Sequence, residues 1–152
     1  MDIFLTKVSD SQHRVRVRRA DASEAVAQLS SRSFLRHDLA HLAVEAELPI
    51  VRGYWGSVAN GAALDGLSIR GPDILLAESL AGPTQTLMRK DADVATFFAV
   101  LNRVRPDLIT RELAPRIQAH GRQLEGHWRA TPYGGEMAVH WHDHRQECGQ
   151  ER

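Results

Sequence analysis

The chain opens with two short runs in which apolar and polar positions alternate. Residues 2–8 and 13–19 flank Ser9-Asp10-Ser11-Gln12, a cluster of turn formers, and period-two alternation on both sides of such a cluster predicts a β-hairpin. In the second run Val15 and Val17 point one way while Arg14, Arg16 and Arg18 point the other, so the strand has one buried face and one cationic, solvated face. Far along the chain, Glu136 to Trp141 alternates again, with Met137, Val139 and Trp141 on one side. The natural partner for that strand is the N-terminal hairpin, which brings the two regions into one small antiparallel sheet.

Between these regions the period changes to that of helices. From Ser33 to Pro49, Leu35, Leu39, Leu42 and Ala46 form an apolar stripe at 100° per residue, with Ser33 placed to cap the start and Pro49 to stop the helix. Arg36, Ala40 and Glu47 mark its expected solvent edge. Before it, residues 21–31 read as a short helix or a loop. After it, a short helix starts near Tyr54 and stops at Asn60-Gly61, with Tyr54 and Trp55 as core aromatics or pocket walls. Residues 64–71 read as loop. Pro72-Asp73 then opens a helix over Ile74–Ala81 that Gly82-Pro83 closes, and residues 84–90 fit neither period. Asp91 is placed to cap a helix from about Ala92 to Val104, and a last long helix runs from Arg111 or Pro115 to Trp128. The expected fold is α+β, a hairpin plus a C-terminal strand packed on four or five helices in one domain over residues 1–142. A polar tail over 143–152 follows.

Composition narrows the partners. Nineteen basic and nineteen acidic residues cancel, so no general attraction to a phosphate backbone or an anionic membrane is expected. No apolar stretch approaches the roughly 18 residues of a membrane span and no N-terminal run has signal-peptide order. With a single cysteine, Cys148, in the polar tail, a cytoplasmic protein is the expectation. Oligomeric state stays open, a homo-oligomer included.

The candidate chemistry sits on the helix at 33–49. Its second stripe mixes Phe34, Val44 and Leu48 with His37, Asp38, His41 and Glu45, and ionisable groups on a half-buried face must be paired, hydrogen-bonded or bound to metal. His37 and His41 are four apart, so both imidazoles can aim at one point. In His-Glu-x-x-His zinc enzymes the residue after the first His is a general base; here it is Asp38, as base or as orienter of a ligand. A further ligand is needed. Glu45 is nearest in sequence, although a straight helix spreads His37, His41 and Glu45 over about 12 Å, and Glu78 from the next long helix is geometrically easier unless it simply faces solvent. His120 and His127 are expected to be core or boundary histidines. His140, His142 and His144 alternate near the tail, where coordination would first have to order a mobile segment.

The core His37-Asp38-x-x-His41 resembles the zinc motif of a ubiquinone-biosynthesis protein family, in which a Glu follows twelve residues after the second His; Gly53 stands at that position here. The wider segment from His37 to Glu45, together with the N-terminal hairpin and the Trp-Arg-Ala-x-Pro-x-Gly-Gly stretch at 128–135, is similar to a set of small bacterial proteins carrying the same His-Asp-Leu-x-His helix. That likeness implies no chemistry. Two function classes remain. One is a metal-dependent enzyme, with zinc the expected ion, a hydrolase or lyase acting on a small molecule through His37, His41, Asp38 and Glu45 or Glu78. The other is a non-catalytic interaction or structural domain in which the same residues form a buried hydrogen-bond network.

Overall fold

The computed structural model describes residues 1–142. The expected tail, with His144 and Cys148, lies outside the described residues. Four antiparallel strands, β1 (Asp2–Lys7), β2 (Gln12–Arg18), β3 (Glu24–Ser30) and β4 (Glu136–His140), form one sheet in the order β3-β2-β1-β4. Register keeps the apolar positions on one face: Ile3 lies opposite Val17 and Val139, and Leu5 opposite Val15 and Met137. Ile3, Leu5, Val15 and Val17 are buried against the helical layer. On the other face Arg16 stacks on Phe4 and pairs with Glu24 and Glu136, so the basic stripe of β2 is a solvated sheet surface.

The helical layer comprises α1 (Arg36–Glu47), α2 (Tyr54–Ala59), α3 (Pro72–Arg89), α4 (Val94–Val104) and α5 (Leu113–Ala130). The α+β architecture and the pairing of β4 with the hairpin follow the sequence pattern. Among the described residues no helix is long and apolar enough to cross a membrane.

Four local expectations are corrected. Residues 24–30 are neither helix nor loop but the edge strand β3, whose inward positions are Ala25, Ala27 and Leu29, opposite Val17, Val15 and His13. Two alanines make a faint apolar face, which is why the alternation is weak. Ser33 is not an N-cap, because residues 31–35 form a π-helical turn that runs directly into α1. Asp93, not Asp91, caps α4, its carboxylate accepting from Thr96 N–H at 2.7 Å; Asp91 instead takes a left-handed turn conformation at φ 49°. Ala40, placed at the solvent edge, is fully buried, since α1 runs between α3 and α5 and against α2.

The largest correction is α3, which continues through Gly82-Pro83 to Arg89. Pro83 has no N–H to offer the carbonyl of Ser79, one turn back. The helix persists because its buried stripe continues past the proline: Ala77, Leu80, Ala81, Thr84, Leu87 and Met88 are all buried, and such burial outweighs the cost of a proline in a helix interior, about 3 kcal/mol for the lost bond and the ring clash together. Arg19, just beyond β2, donates to the carbonyls of Val58 at 2.7 Å and Ala62 at 3.1 Å, fastening the end of α2 to the sheet.

Replacing Pro83 by alanine restores a donor within a helix already formed. The expected result is a gain of about 2–2.5 kcal/mol, the helix-interior cost of proline less the entropy that proline removes from the unfolded chain. Urea unfolding checks it, as a higher midpoint with an unchanged slope.

Candidate metal centre

Every residue of α1 from Asp38 to Glu45 is buried. Three of these, Asp38, His41 and Glu45, are ionisable, so their partners must lie inside the protein.

Glu45 has no exposure at all. Its carboxylate accepts from the backbone N–H groups of Tyr54 at 2.8 Å, Trp55 at 3.1 Å and Gly56 at 3.4 Å, the free donors at the start of α2, and such donors favour an anion. A Cβ on Gly53 would overlap this carboxylate. The position where the resembling zinc motif carries Glu is therefore the space that Glu45 occupies. Glu45 also accepts from His41 Nδ1 at 2.9 Å. As an ionised carboxylate only accepts, Nδ1 carries the hydrogen, and Nε2 faces the other way.

That way lies a convergence. His41 Nε2 is 3.2 Å from His37 Nε2 and 3.2 Å from Glu78 Oε1, and His37 Nε2 is 3.2 Å from Glu78 Oε2. Gln85 Oε1 sits 3.2 Å from His37 Nδ1, so that nitrogen donates and the second Nε2 also presents a lone pair. Two nitrogen lone pairs and a carboxylate meeting at this spacing repel unless a cation lies among them. Ligand atoms on a tetrahedral ion with bonds of about 2.0–2.1 Å lie about 3.4 Å apart, near the 3.2 Å between the two imidazole nitrogens, while Glu78 meets each histidine with a different oxygen. His37, His41 and Glu78 thus form a group that could hold a metal ion. Glu78 is the residue that faces the histidines; Glu45 stands behind the ring of His41, on its far nitrogen.

Exposure sets the open direction. The side chain of His41 is 2% exposed, that of His37 31% and that of Glu78 50%. The three border a cavity of about 380 Å³ with apolar walls that include Phe34, Leu64, Ile69 and Ile74. Tyr54 lines it too, its hydroxyl donating to the Leu64 carbonyl at 2.6 Å, while Trp55 is fully buried and donates from Nε1 to the Asp38 carbonyl. Asp38 reaches the same cavity, with Oδ2 buried and without a hydrogen-bond partner among the described residues. Burial pushes its carboxyl up to about 7, the His41 charge opposing and the Glu78 charge reinforcing. For His41 burial alone acts downward, but the hydrogen bonds and charges of Glu45 and Glu78 overcome it and raise the imidazole to about 9. Glu78 is lowered, chiefly by its hydrogen bond to His41.

The later histidines stay away. His120 pairs with Glu47 at 3.3 Å and His127 is exposed. Gln85 carries no local site signal in the sequence, because Gly82-Pro83 has the form of a helix end. The usable signal was its spacing of seven from Glu78, two turns along one face of a continuous α3.

Without metal, the cation among these acceptors is a proton on His41, and stability carries its signature. A group raised from 6.5 unfolded to about 9 folded contributes fully below pH 6.5 and loses that contribution as pH rises through 9. Asp38, raised from 3.8 to about 7, has the same sign over a lower window. The metal-free protein is therefore expected to lose stability steadily from pH 6 to 9, by urea midpoint, and Glu78→Gln should flatten the upper half of that profile.

Compared with known proteins, the chain matches no family model, no curated protein and no solved structure.

Proposed function

We propose that this protein is a metal-dependent enzyme, a hydrolase or lyase acting on a small molecule, with His37, His41 and Glu78 as ligands. The observation that carries the reading is the meeting of two imidazole nitrogens, 3.2 Å apart, with the Glu78 carboxylate, one oxygen of which lies 3.2 Å from each, at the edge of a cavity, each histidine held on its other nitrogen by Gln85 or Glu45. Hydrogen bonds on the far ring nitrogen are how proteins fix the tautomer and orientation of a ligating histidine. Two imidazoles and one carboxylate suit zinc, with room left on the cavity side for a reacting group. The ion would supply Lewis acidity at that position.

The chain's own residues supply the rest. Asp38, which lines the same cavity and whose buried Oδ2 has no hydrogen-bond partner among the described residues, takes or returns a proton. Its raised carboxyl fits a group that must change protonation state near neutral pH. The cavity volume of about 380 Å³ falls in the range of small-molecule sites, and its apolar walls favour a substrate with an apolar body and one polar end. A second reading, a structural hydrogen-bond network, draws on the fact that His41 has a carboxylate against each ring nitrogen.

Metal content separates them. Protein purified without a polyhistidine tag and loaded with zinc, manganese or iron should hold about one equivalent. His41→Ala and Glu78→Ala should each fall below about a tenth, with the helix intact since alanine favours it. Glu78 is half exposed, so its loss tests the metal without threatening the fold. A wild-type protein that stays below about a tenth after loading supports the network reading. Asp38→Asn should keep its metal and lose about 10²–10⁴-fold in turnover of whichever small ester, amide or related substrate the loaded protein accepts.

A further inference from the structure

The flank of α1 opposite the candidate metal centre faces a larger hollow. Its volume is about 550 Å³, and its walls come from the end of β1, the π-helical turn, α1, α3 and α5. Lys7, Arg32, Arg36, Arg89 and Arg129 line it against two carboxylates, Asp10 and Glu125. Both carboxylates are engaged, Asp10 by the Tyr133 hydroxyl and Glu125 by Arg36 at 3.6 Å. Among the described residues the side chains of Arg32, Arg89 and Arg129 have neither an ion pair nor a hydrogen bond. An adjoining hollow of about 440 Å³ shares Arg36, Arg89, Arg129 and Glu125 and adds Arg122, which is paired with Asp91 at 3.0 Å, so its uncompensated arginines are those of the first hollow.

We propose that this hollow binds a small molecule carrying two or more phosphate groups. Solvated arginines are ordinary on a convex surface, where each finds its own water. Here guanidinium groups from the turn, α1, α3 and α5 crowd into one concavity of a chain whose formal charge is zero. Concentrating like charge in a hollow is unfavourable until an anion enters, and a concave wall focuses the field on that anion. Guanidinium forks match phosphate oxygens in pairs, and several around one space suit a ligand of high charge density. Lys7 is already fixed, its ammonium donating to the Trp128 carbonyl at 2.7 Å and lying 5.0 Å from the indole centre. Trp128, part exposed in this wall, leaves an apolar surface beside the cations, where the organic part of a phosphate ester can rest. Gln85 stands in this wall while it holds His37, so one side chain separates the hollow from the candidate metal centre. The proposal does not depend on a metal being there.

The test uses dialysed, metal-free protein, so that phosphate cannot bind through an ion. Calorimetric titration at low ionic strength with pyrophosphate, with a nucleoside diphosphate and with citrate should give saturable binding of the first two and at least about tenfold weaker binding of citrate. Arg89→Glu and Arg129→Glu should each weaken pyrophosphate binding at least about tenfold. Arg103→Glu on α4, the same charge change away from the hollow, should change it less than about twofold. Tighter binding of the nucleoside diphosphate than of pyrophosphate identifies a phosphate ester as the ligand; equal binding identifies the inorganic anion. No binding, equal losses in all three variants, citrate binding as tight as pyrophosphate, or binding only of a single-stranded oligonucleotide would each overturn the proposal.

Discussion

A carboxylate wholly removed from water, that of Glu45, is the constraint on which the rest of the centre depends. An isolated charge in that position would cost several kcal/mol. It is tolerated because three backbone N–H groups of α2 and the Nδ1–H of His41 all point at it. Each of these partners fixes something else. The N–H groups hold the start of α2 against the end of α1, which sets the path of residues 48–53. The absence of a side chain at Gly53 becomes obligatory, because any Cβ there would sit in the carboxylate. The imidazole of His41 is locked in one tautomer, and that decides which nitrogen faces His37 and Glu78. Polarity then grades outward along one line, from the dry Glu45 through His41 to the half-exposed Glu78.

Much of this was legible in the sequence, and the parts that were not have physical causes. The strands β1, β2 and β4 declared themselves because their inward residues are Ile, Leu, Val and Met at period two, set against arginines in β2. β3 did not, because an edge strand opposite Val15 and Val17 can be built with Ala25 and Ala27, and alanine carries little period-two signal. The helix bearing His37, Asp38 and His41 was clear from its leucine spacing. Its role for Glu45 was not, since the donors that hold this carboxylate are backbone groups of residues 54–56, and backbone donors leave no mark in a sequence. Glu78 and Gln85 were separated by a proline that local rules treat as a stop. Packing on both sides of Pro83 overrode those rules.

The start of α1 divides two environments that a neutral overall charge conceals. On one side apolar walls enclose two imidazoles and two carboxylates, those of Asp38 and Glu78; on the other, arginines from several elements surround a wider hollow. Net charge is a sum, and it carries no information about segregation. His37 and Gln85 form the partition, with Gln85 exposed to the cationic side and His37 to the apolar one.

The pairing of β1 with β4 has a consequence for how the chain reaches this state. The candidate ligand residues, their orienting partners and Asp38 all fall between residues 37 and 85, so their contacts close over modest loops. The sheet is different: Thr6 pairs with Glu136, a separation of 130 residues. Contacts of such long range are the slow ones in folding. Until β4 docks, β1 is an edge strand, offering its unpaired N–H and C=O groups beside Ile3 and Leu5 to any other strand nearby. The topology therefore divides the risks: the centre is assembled from local chain, while the hazard of wrong pairing is concentrated in the N-terminal strand that waits for its last neighbour.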